Sequence, residues 1–116
     1  MNRRFRLNKQ TDFERVRRNG PSFSHPLLVL ITLPNELEIS RFGVSAGRSI
    51  GGAVQRNRAK RRLRAILVGL VPAVQTGYDL VFLARKPIHA STGDELYQAV
   101  RGLLKRSGLL KPSHDS

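Results

Sequence analysis

A run of cationic side chains lies between Arg56 and Arg64. Their residue types and spacing are suited to binding a polyanion. Because an α-helix turns by about 100° per residue, Arg56, Lys60 and Arg64 would form one row along it. Like charges four residues apart weaken an isolated helix. No acidic residue lies between Glu38 and Asp79 to balance them. A solvated basic face is the simpler interpretation, but a bound polyanion accounts better for so unbalanced a run.

Asn57 lies inside this run and does not fit a purely electrostatic surface. Asparagine is a poor helix former. Its amide offers a donor and an acceptor, which suits a phosphate, a 2′-hydroxyl or a base edge. The alternative is that Asn57 caps the helix locally or orients Arg61, and the sequence leaves both interpretations open.

The composition also favours an anionic partner. The 116 residues carry 21 Lys and Arg against 8 Asp and Glu, a formal net charge of +13, which favours nucleic acid or an anionic membrane surface. No apolar run approaches the ~18 residues of a spanning helix, and no apolar segment follows the basic N-terminus as in a signal peptide. With no cysteine there is neither a disulfide nor a thiolate metal site. We expect one cytoplasmic domain with no membrane partner.

Three helices are predicted from their end signals and apolar stripes. Capping-box patterns at Thr11–Glu14 and Thr92–Glu95 predict the start of the first and last helices. The first should end at Asn19–Gly20, with Gly20 as a left-handed C-cap, and the last at Gly108. The basic helix is expected within residues 51–72, and its predicted core stripe is Ala59, Leu63, Ile66, Leu67 and Leu70.

Three apolar runs predict strands, at residues 27–33, 41–46 and 78–84. The first, continuous in its apolar character, should be a central strand covered on both faces. The second should pair with it in antiparallel fashion through a short loop. The resulting order is αββαβα, with a short extra strand near Ser22–Ser24 left open. Residues 1–9 are expected to form a mobile basic arm with little to bury, and residues 109–116 a frayed tail.

Residues for autonomous catalysis are scarce in the sequence. The histidines stand apart from one another and from carboxylates at ligand spacing, which argues against a metal site: His25, His89 and His114. Ser45 and Ser49 have no base nearby in sequence to activate them. Asp79, at a strand start, suits a turn or a cap. The glycines before the basic helix lack the Walker pattern.

The segment Ala53-Val-Gln-Arg56-Asn57-Arg-Ala-Lys60-Arg61-Arg-Leu-Arg64 resembles the Arg-Asn-rich motif of the protein-subunit family of bacterial ribonuclease P. Every fixed position of that family's Ala-Val-x-Arg-Asn-x-x-Lys-Arg-x-x-Arg pattern is met. Further family landmarks follow in the family's order: Arg6-Leu7, Asp12-Phe13, Val16, Gly20, Arg41-Phe-Gly-Val-Ser45, Ile50-Gly51, Gly77-Tyr-Asp79 and Ala84-Arg-Lys86. Three positions depart from the family. Gly52 replaces a usual asparagine, and Arg17 and Ile31 stand where relatives often carry aromatics.

The resemblance implies an α+β two-layer sandwich, in which a four-stranded mixed sheet packs with helices in the order α-β-β-β-α-β-α. It also implies a left-handed β-α-β crossover around the basic helix, where the general rule gives a right-handed one. The implied function is that of an accessory protein, without catalytic residues of its own. The RNA subunit, with Mg²⁺ held mainly by RNA, would hydrolyse the phosphodiester that joins the 5′ leader to precursor tRNA.

The implied partners are ribonuclease P RNA and precursor tRNA, with no obligatory protein partner. The residues expected to bind the catalytic RNA are Arg48, Arg56, Asn57, Arg58, Lys60, Arg61 and Arg64. Those expected to form a cleft for the leader are Phe13, Arg17, Val29, Ile31, Arg85 and Lys86. In that cleft Phe13 would be the main ring for stacking on an unpaired base.

Two other classes of function remain at this point. A ribosomal or general structured-RNA-binding protein would share the charge and the type of fold, but it has no evident reason to keep Asn57 within a row of arginines. A stand-alone nuclease would need a cluster of carboxylates or histidines, whereas the 8 acidic residues are scattered. Cleavage by the protein without catalytic RNA would favour the nuclease.

Overall fold

The computed structural model describes residues 2–112 and has an α+β fold. The helices are α1 (Gln10–Asn19), α2 (Ala53–Leu70) and α3 (Gly93–Arg106). The strands are β1 (Ser22–Ser24), β2 (Leu28–Pro34), β3 (Arg41–Ser45) and β4 (Tyr78–Ala84). They form a four-stranded sheet in the order β1-β2-β4-β3. The predicted α-β-β-β-α-β-α order and mixed sheet are confirmed, including the short strand at Ser22–Ser24.

The sheet is mixed because β2 pairs with β1 and β4 in antiparallel fashion, whereas β3 and β4 are parallel. The predicted direct pairing of β2 with β3 is wrong, since β4 lies between them. Leu80, Val81 and Phe82 of β4 are buried, so this strand needs cover on both faces and takes a central position. Helix α2 joins the two parallel strands as a crossover, and the hand of that crossover stays a prediction.

Successive side chains of a strand point to opposite faces of the sheet, so the buried apolar residues form two clusters, one on each face. Leu28 and Leu30 of β2, with Leu80 and Phe82 of β4, pack among the residues that α2 and α3 bury. On the opposite face a smaller cluster, to which α1 contributes Val16, covers the sheet. The prediction that the apolar strand is central and covered on both faces is confirmed.

Helix α2 buries the predicted stripe. Ala59, Leu63, Leu67 and Leu70 are buried, and Ile66 is half-buried against the same core. The helix begins after Gly52, whose backbone N–H donates to Gln55 Oε1 at 3.1 Å. It runs into a 3-10 turn that contains Pro72, which cannot continue an α-helix. The apolar stripe faces the sheet, so the opposite side of α2 is left to solvent.

One of the two predicted capping boxes is present. At α3, Glu95 N donates to Thr92 Oγ1 at 3.1 Å and Thr92 N donates to Glu95 Oε1 at 2.8 Å. At α1 the prediction is wrong, because the helix begins at Gln10 and its N-cap, Lys9, makes no side-chain hydrogen bond. The first turn of α1 instead carries Asp12, whose carboxylate forms ion pairs described below.

Gly20 ends α1, but it is not a left-handed C-cap. Its φ of −90° and ψ of 153° are ordinary extended backbone. The need for glycine is steric, since a Cβ at this position would lie 2.1 Å from the carbonyl oxygen of Thr32. Gly108, by contrast, ends the last helical segment with a φ of 78°, in keeping with the prediction.

Both ends of the described chain are anchored to the core. Leu7 is buried, and its N–H donates to Phe42 O at 2.8 Å, so the expectation of an N-terminal arm with little to bury is wrong. Leu109 and Leu110 are buried too, and Leu110 forms a β-bridge with Val74. The predicted fraying is therefore wrong at these two leucines, while residues 113–116 lie outside the described part. Within residues 2–112, none of the helices combines the length and apolar character that crossing a membrane requires.

Candidate nucleic-acid interface

The solvent side of α2 and its two flanks carry the predicted cationic row and the other cations of the run. We call this surface the basic face and define it by Arg56, Asn57, Arg58, Lys60, Arg61 and Arg64. Asn57, Arg58 and Arg61 are exposed, whereas Arg56, Lys60 and Arg64 are half-buried along its border. Among residues 2–112, ion pairs form around Arg15 and Arg41 and none involves the basic face. Its positive charge is therefore not neutralised by the described protein.

Arg48 lies just before the basic face, in a 3-10 turn at Arg48–Ile50 that leads from β3 toward α2. Its side chain is exposed. The turn is held from the other side by His89, whose Nε2 lies 2.8 Å from Ile50 O. Arg48 thus extends the cationic surface beyond the N-terminus of α2, as the sequence predicted.

Asn57 is exposed, and its amide makes no hydrogen bond within the described part of the chain. In particular it does not hold Arg61, which was the alternative left open by the sequence. A free amide inside a row of cations is available to a ligand, and the structural observation favours that interpretation.

Arg62 belongs to the same run in sequence but faces another way. Its Nη1 donates to Ile88 O at 2.7 Å and its Nη2 to Ser91 O at 2.8 Å. Burial, and secondarily the charge of Arg58, lowers the pKa of the Arg62 guanidinium. Arg62 therefore ties α2 to the 3-10 turn Lys86–Ala90 and is not part of the surface that faces solvent.

A cleft lies where the short α1 leaves part of its sheet face uncovered. Val29 of β2 and Leu83 of β4 are paired in register on this face, and both are half-buried. Phe13 of α1 lies over β3, where a Cβ at Gly43 would come within 2.6 Å of its Cζ. Arg17, one turn along α1, is exposed. The structure thus brings Phe13, Arg17 and Val29 to one side of the sheet, as predicted.

Two features of the cleft differ from the expectation. Ile31 is only 6% exposed and packs with Leu7, Val16 and Val81, so it is core beneath α1 and no ligand can reach it without moving the helix. Leu83, which the sequence argument did not include, occupies an accessible part of the floor. The sequence argument paired β2 with β3, whereas β4 lies between them, so the pairing of Leu83 with Val29 was not predicted.

Arg85 and Lys86 lie at the end of β4 and are exposed. Arg85 keeps an extended backbone, with φ of −113° and ψ of 154°, and its N–H donates to Leu27 O at 3.0 Å. Alternation therefore places its side chain on the same face as Leu83. Arg85 therefore lies at the rim of the cleft. Lys86 follows it as the first residue of the 3-10 turn Lys86–Ala90, and its place in the cleft stays a prediction.

Asp79 is fully buried and forms the centre of an ion-pair cluster that the sequence did not predict. Arg41 Nε and Nη2 donate to its two carboxylate oxygens at 2.9 and 2.8 Å, Asn35 Nδ2 donates at 2.9 Å, and Arg15 donates as well. Burial acts to raise the pKa of Asp79, but the hydrogen bonds from Arg41, Asn35 and Arg15 outweigh it and lower the pKa.

This cluster joins α1 to the sheet. Asp12 of α1 lies 3.6 Å from Arg15 and 3.8 Å from Arg41, so both acids share both arginines. Because Asp79 and Arg41 belong to adjacent strands, the carboxylates and guanidiniums hold the N-terminal half of α1 against β4 and β3. The expectation of a turn or cap role for Asp79 is wrong, since the side chain instead positions one wall of the cleft.

The described residues offer a binding surface and no metal-binding cluster. Within residues 2–112 there is no group of three or more His, Asp or Glu side chains that could hold a metal ion. His25 is engaged locally, with Nδ1 accepting from Leu27 N at 3.0 Å, and His114 lies outside the described residues. Ser45 and Ser49 have no side-chain hydrogen bond to a base in the same part of the chain. What supports recognition of a polyanion is the cationic surface of the basic face, which forms no ion pair within residues 2–112.

Comparison with known proteins agrees with this picture. The sequence model of the family described as Ribonuclease P matches residues 1–108. A protein of Roseiflexus castenholzii named Ribonuclease P protein component is 39% identical over 112 residues, which cover 96% of this chain and 92% of the relative. A protein of the same name from Clostridium kluyveri is 38% identical over 109 residues, covering 92% and 97%.

Solved structures show the same similarity. The Staphylococcus aureus RNase P protein superimposes with a TM-score of 0.82 at 27% identity, covering 92% of this chain and 98% of that one. The RNase P protein from Thermotoga maritima gives a TM-score of 0.79 at 28% identity, covering 87% and 96%. The family resemblance and the four-stranded mixed sheet with helices that it implied are thereby confirmed. This chain belongs to the ribonuclease P protein family.

Proposed function

We propose that this chain works as the protein subunit of ribonuclease P in tRNA processing by binding RNA on two surfaces, while the RNA subunit carries out phosphodiester hydrolysis. The observation that carries the proposal is the basic face of α2, which has no acidic partner in residues 2–112. An uncompensated row of this kind is suited to phosphates, which dominate affinity for nucleic acid. A cytoplasmic location and independence from any other protein subunit belong to the same proposal.

The first surface, the basic face with Arg48, would contact ribonuclease P RNA. Arginine guanidiniums bind phosphate oxygens in bidentate fashion, and a helix surface rigid in its backbone presents them at fixed spacing. Asn57 would add a hydrogen bond that depends on the shape of the RNA rather than on its charge. Mg²⁺ required for hydrolysis would be held mainly by RNA.

The second surface, the cleft between α1 and the sheet, would contact the single-stranded 5′ leader of precursor tRNA. Val29 and Leu83 supply an apolar floor, Phe13 supplies a ring, and Arg17 and Arg85 supply charge at the edges. Aromatic and apolar surface beside a cationic rim is the usual combination for single-stranded nucleic acid. Because Phe13 also packs over Gly43, its ring contributes to the fold as well.

Replacement of Asn57 by alanine tests the first surface without changing its charge. We expect the association constant for ribonuclease P RNA to fall by about two- to tenfold, the effect of one hydrogen bond. The slope of log K against log salt should stay the same, because no phosphate contact by a cation is lost. Since Asn57 is exposed and alanine is the better helix former, the melting temperature of the free protein should not fall.

Gln98 provides the control for this substitution, as an exposed amide on α3, a different helix. Gln98→Ala should leave RNA binding unchanged. If Asn57→Ala instead lowered the melting temperature and left RNA affinity unchanged, the role of Asn57 would be structural. The proposed shape-dependent contact of Asn57 with RNA would then be contradicted.

Replacement of Arg17 by alanine tests the second surface. The holoenzyme should bind precursor tRNA about fivefold less tightly near 0.15 M salt, as expected for one lost phosphate contact, and should bind mature tRNA as before. The mature product lacks the leader and has nothing to place in the cleft. Arg18→Ala, on the neighbouring exposed position of α1, removes the same charge and should have the smaller effect. Equal losses for precursor and mature tRNA would exclude a leader-binding role for this side of α1.

A further inference from the structure

The 3-10 turn Lys86–Ala90 contacts parts of both proposed RNA-binding surfaces. It follows directly after Arg85, at the rim of the cleft. On its other side, His89 contacts the turn that carries Arg48, through Nε2 and Ile50 O at 2.8 Å. Because a carbonyl oxygen only accepts, Nε2 of His89 is the donor in this hydrogen bond. Whatever holds the turn Lys86–Ala90 in place therefore affects both surfaces.

Arg62 holds the end of this turn from α2, through two nitrogens of its guanidinium. Nη1 donates to Ile88 O at 2.7 Å, and Nη2 donates to Ser91 O at 2.8 Å. The Ser91 hydroxyl also donates to Ile88 O, at 2.7 Å. Carbonyl groups at the C-terminal end of a helical turn carry partial negative charge, so they are suited to a cation. Since the side chain of Ile88 is buried in the core, the turn is held from both sides.

Arg62 differs from the fixed cations of the family pattern. It occupies the first of the two free positions between Arg61 and Arg64. Both of its Nη atoms donate to backbone carbonyl oxygens. A planar guanidinium reaches two acceptors at fixed geometry, which suits it to holding a backbone segment. These properties favour a role in positioning another part of the protein over direct contact with phosphate.

The hydrogen bonds continue from Ile88 to the rim of the cleft. Ile88 N donates to Arg85 O at 2.9 Å, and Arg85 N donates to Leu27 O at 3.0 Å. The side chain of Arg85 is exposed. A residue whose backbone is already held loses less conformational entropy when its side chain binds a ligand. Loosening the turn at Ile88 would therefore weaken binding by Arg85.

We propose that Arg62 is a positioning residue for leader binding, which holds the turn Lys86–Ala90 so that Arg85 stays at the rim of the cleft. The inference rests on the proposed function, because it takes the leader as the ligand of the cleft. It assigns a role to a cation of the run that neither surface uses. One helix then serves both surfaces, since α2 carries the basic face and holds the rim of the cleft.

Amide hydrogen exchange of the free protein tests the hold on the turn without RNA. Arg62→Met removes the donors and keeps an unbranched side chain. Exchange of the Ile88 and Ser91 amides should become about tenfold faster, the effect of one charge-assisted hydrogen bond. The amide of Val81, buried in the central strand, should exchange as in the wild type. Unchanged exchange at Ile88 and Ser91 would overturn the proposal. Arg62→Leu takes the place of Arg62→Met if the latter does not fold.

The holoenzyme provides the functional measurement. With Arg62→Met it should bind precursor tRNA about threefold less tightly, within the usual cost of ordering one side chain, and mature tRNA as before. The slope of log K against log salt for ribonuclease P RNA should stay the same, because no phosphate contact is lost. Lys111→Met, which removes one charge near the end of the described chain, should change neither quantity. A slope smaller by roughly one unit for Arg62→Met would indicate direct phosphate contact and overturn the proposal.

A double-variant cycle tests whether Arg62 acts through Arg85. Arg85→Ala alone should weaken binding of precursor tRNA. Adding Arg62→Met to it should cause no further loss, because the side chain that Arg62 positions is already gone. Additive losses from the two substitutions, or equal losses of affinity for precursor and mature tRNA, would overturn the positioning role.

The proposed function and this inference can fail separately. The exchange measurement uses the free protein, and Arg17→Ala tests the cleft without changing the turn. If Arg17→Ala has its expected effect while the losses of the Arg62 and Arg85 variants add, the positioning role alone is wrong. If Arg17→Ala leaves the affinity for precursor tRNA unchanged, the leader is not the ligand of the cleft, and both proposals are contradicted.

Discussion

Replacing Asp79 by asparagine should lower the free energy of unfolding by about 3 kcal/mol at neutral pH, which we expect to be the largest effect of any single substitution proposed here. Removing one partner of a buried ion pair leaves the other charge uncompensated, at a cost of about 3–5 kcal/mol. The carboxylate of Asp79 is 0% exposed, but the side chains of Arg15 and Arg41 are 37% and 26% exposed, so water takes up part of the loss. The lower end of the range is therefore expected.

The dependence of this effect on pH follows from the lowered pKa of Asp79. A carboxyl group whose pKa is lower in the folded than in the unfolded state stabilises the fold above the unfolded value, about 3.9 for Asp. That contribution is lost as the pH falls from there through the folded pKa. The wild type and Asp79→Asn should therefore differ in unfolding free energy at pH 7 and converge at acid pH.

Denaturant unfolding at pH 7 and at a series of values below pH 4 measures both effects. Asp94→Asn is the control, since Asp94 is exposed in the first turn of α3 and should cost less than about 1 kcal/mol. Similar losses for Asp79→Asn and Asp94→Asn, or a difference that persists unchanged at acid pH, would contradict the assigned role of the buried cluster.

Removing two cations from the basic face together should have the largest effect on RNA binding. For Arg56→Ala with Lys60→Ala, the slope of log K against log salt should decrease in magnitude by roughly two units, one for each lost phosphate contact. At about 0.15 M salt the same relation predicts an affinity for ribonuclease P RNA about thirtyfold lower. Titration of RNA with protein over a range of salt concentrations gives both quantities.

A matched pair of substitutions removes two charges away from this surface, Arg18→Ala on α1 with Lys111→Ala near the end of the described chain. Its slope should stay close to that of the wild type. If both double variants changed the slope equally, the net charge of the protein would account for binding and the basic face would have no special part in it.

The basic face could be predicted because the residues that determine it all lie on one helix, α2. The apolar stripe of Ala59, Leu63 and Leu67 sets which side is buried, and the remaining positions must then face outward. The capping box of Thr92 and Glu95 is equally local, and it too is confirmed. A local pattern is not always sufficient, however, because the capping box predicted at Thr11–Glu14 is absent and α1 begins at Gln10.

The cleft depends on contacts between distant parts of the chain, which single-sequence patterns do not show. Ile31 was assigned to the cleft, but α1 covers it with Val16, so it is core. Asp79 lies 64 positions from Arg15 and 38 from Arg41 in sequence, so nothing near it indicated an ion pair. The position of β4 beside β3 brings Asp79 into register with Arg41, and no local pattern predicts that strand order.

The termini and Gly20 also depend on contacts with distant parts of the chain, which the sequence alone does not show. Leu7 lies between Arg6 and Asn8 in a basic segment, yet the bridge from Arg6 to Phe42 of β3 and the cluster that Leu7 forms with Val16 bury it. Gly20 follows a helix, which suggested a left-handed cap, but the reason for glycine is the carbonyl of Thr32, 12 residues further along the chain. In both cases the determining neighbour belongs to another element.

Cleavage of precursor tRNA by reconstituted components tests the central claim most directly. The measurement compares catalytic RNA alone, protein alone and the two together at moderate Mg²⁺ and near 0.15 M salt. We predict that the protein alone cleaves nothing, and that adding it to catalytic RNA accelerates removal of the 5′ leader. Cleavage by the protein without RNA, or no change in the RNA-catalysed rate when saturating protein is added, would contradict its role as an RNA-binding subunit of ribonuclease P.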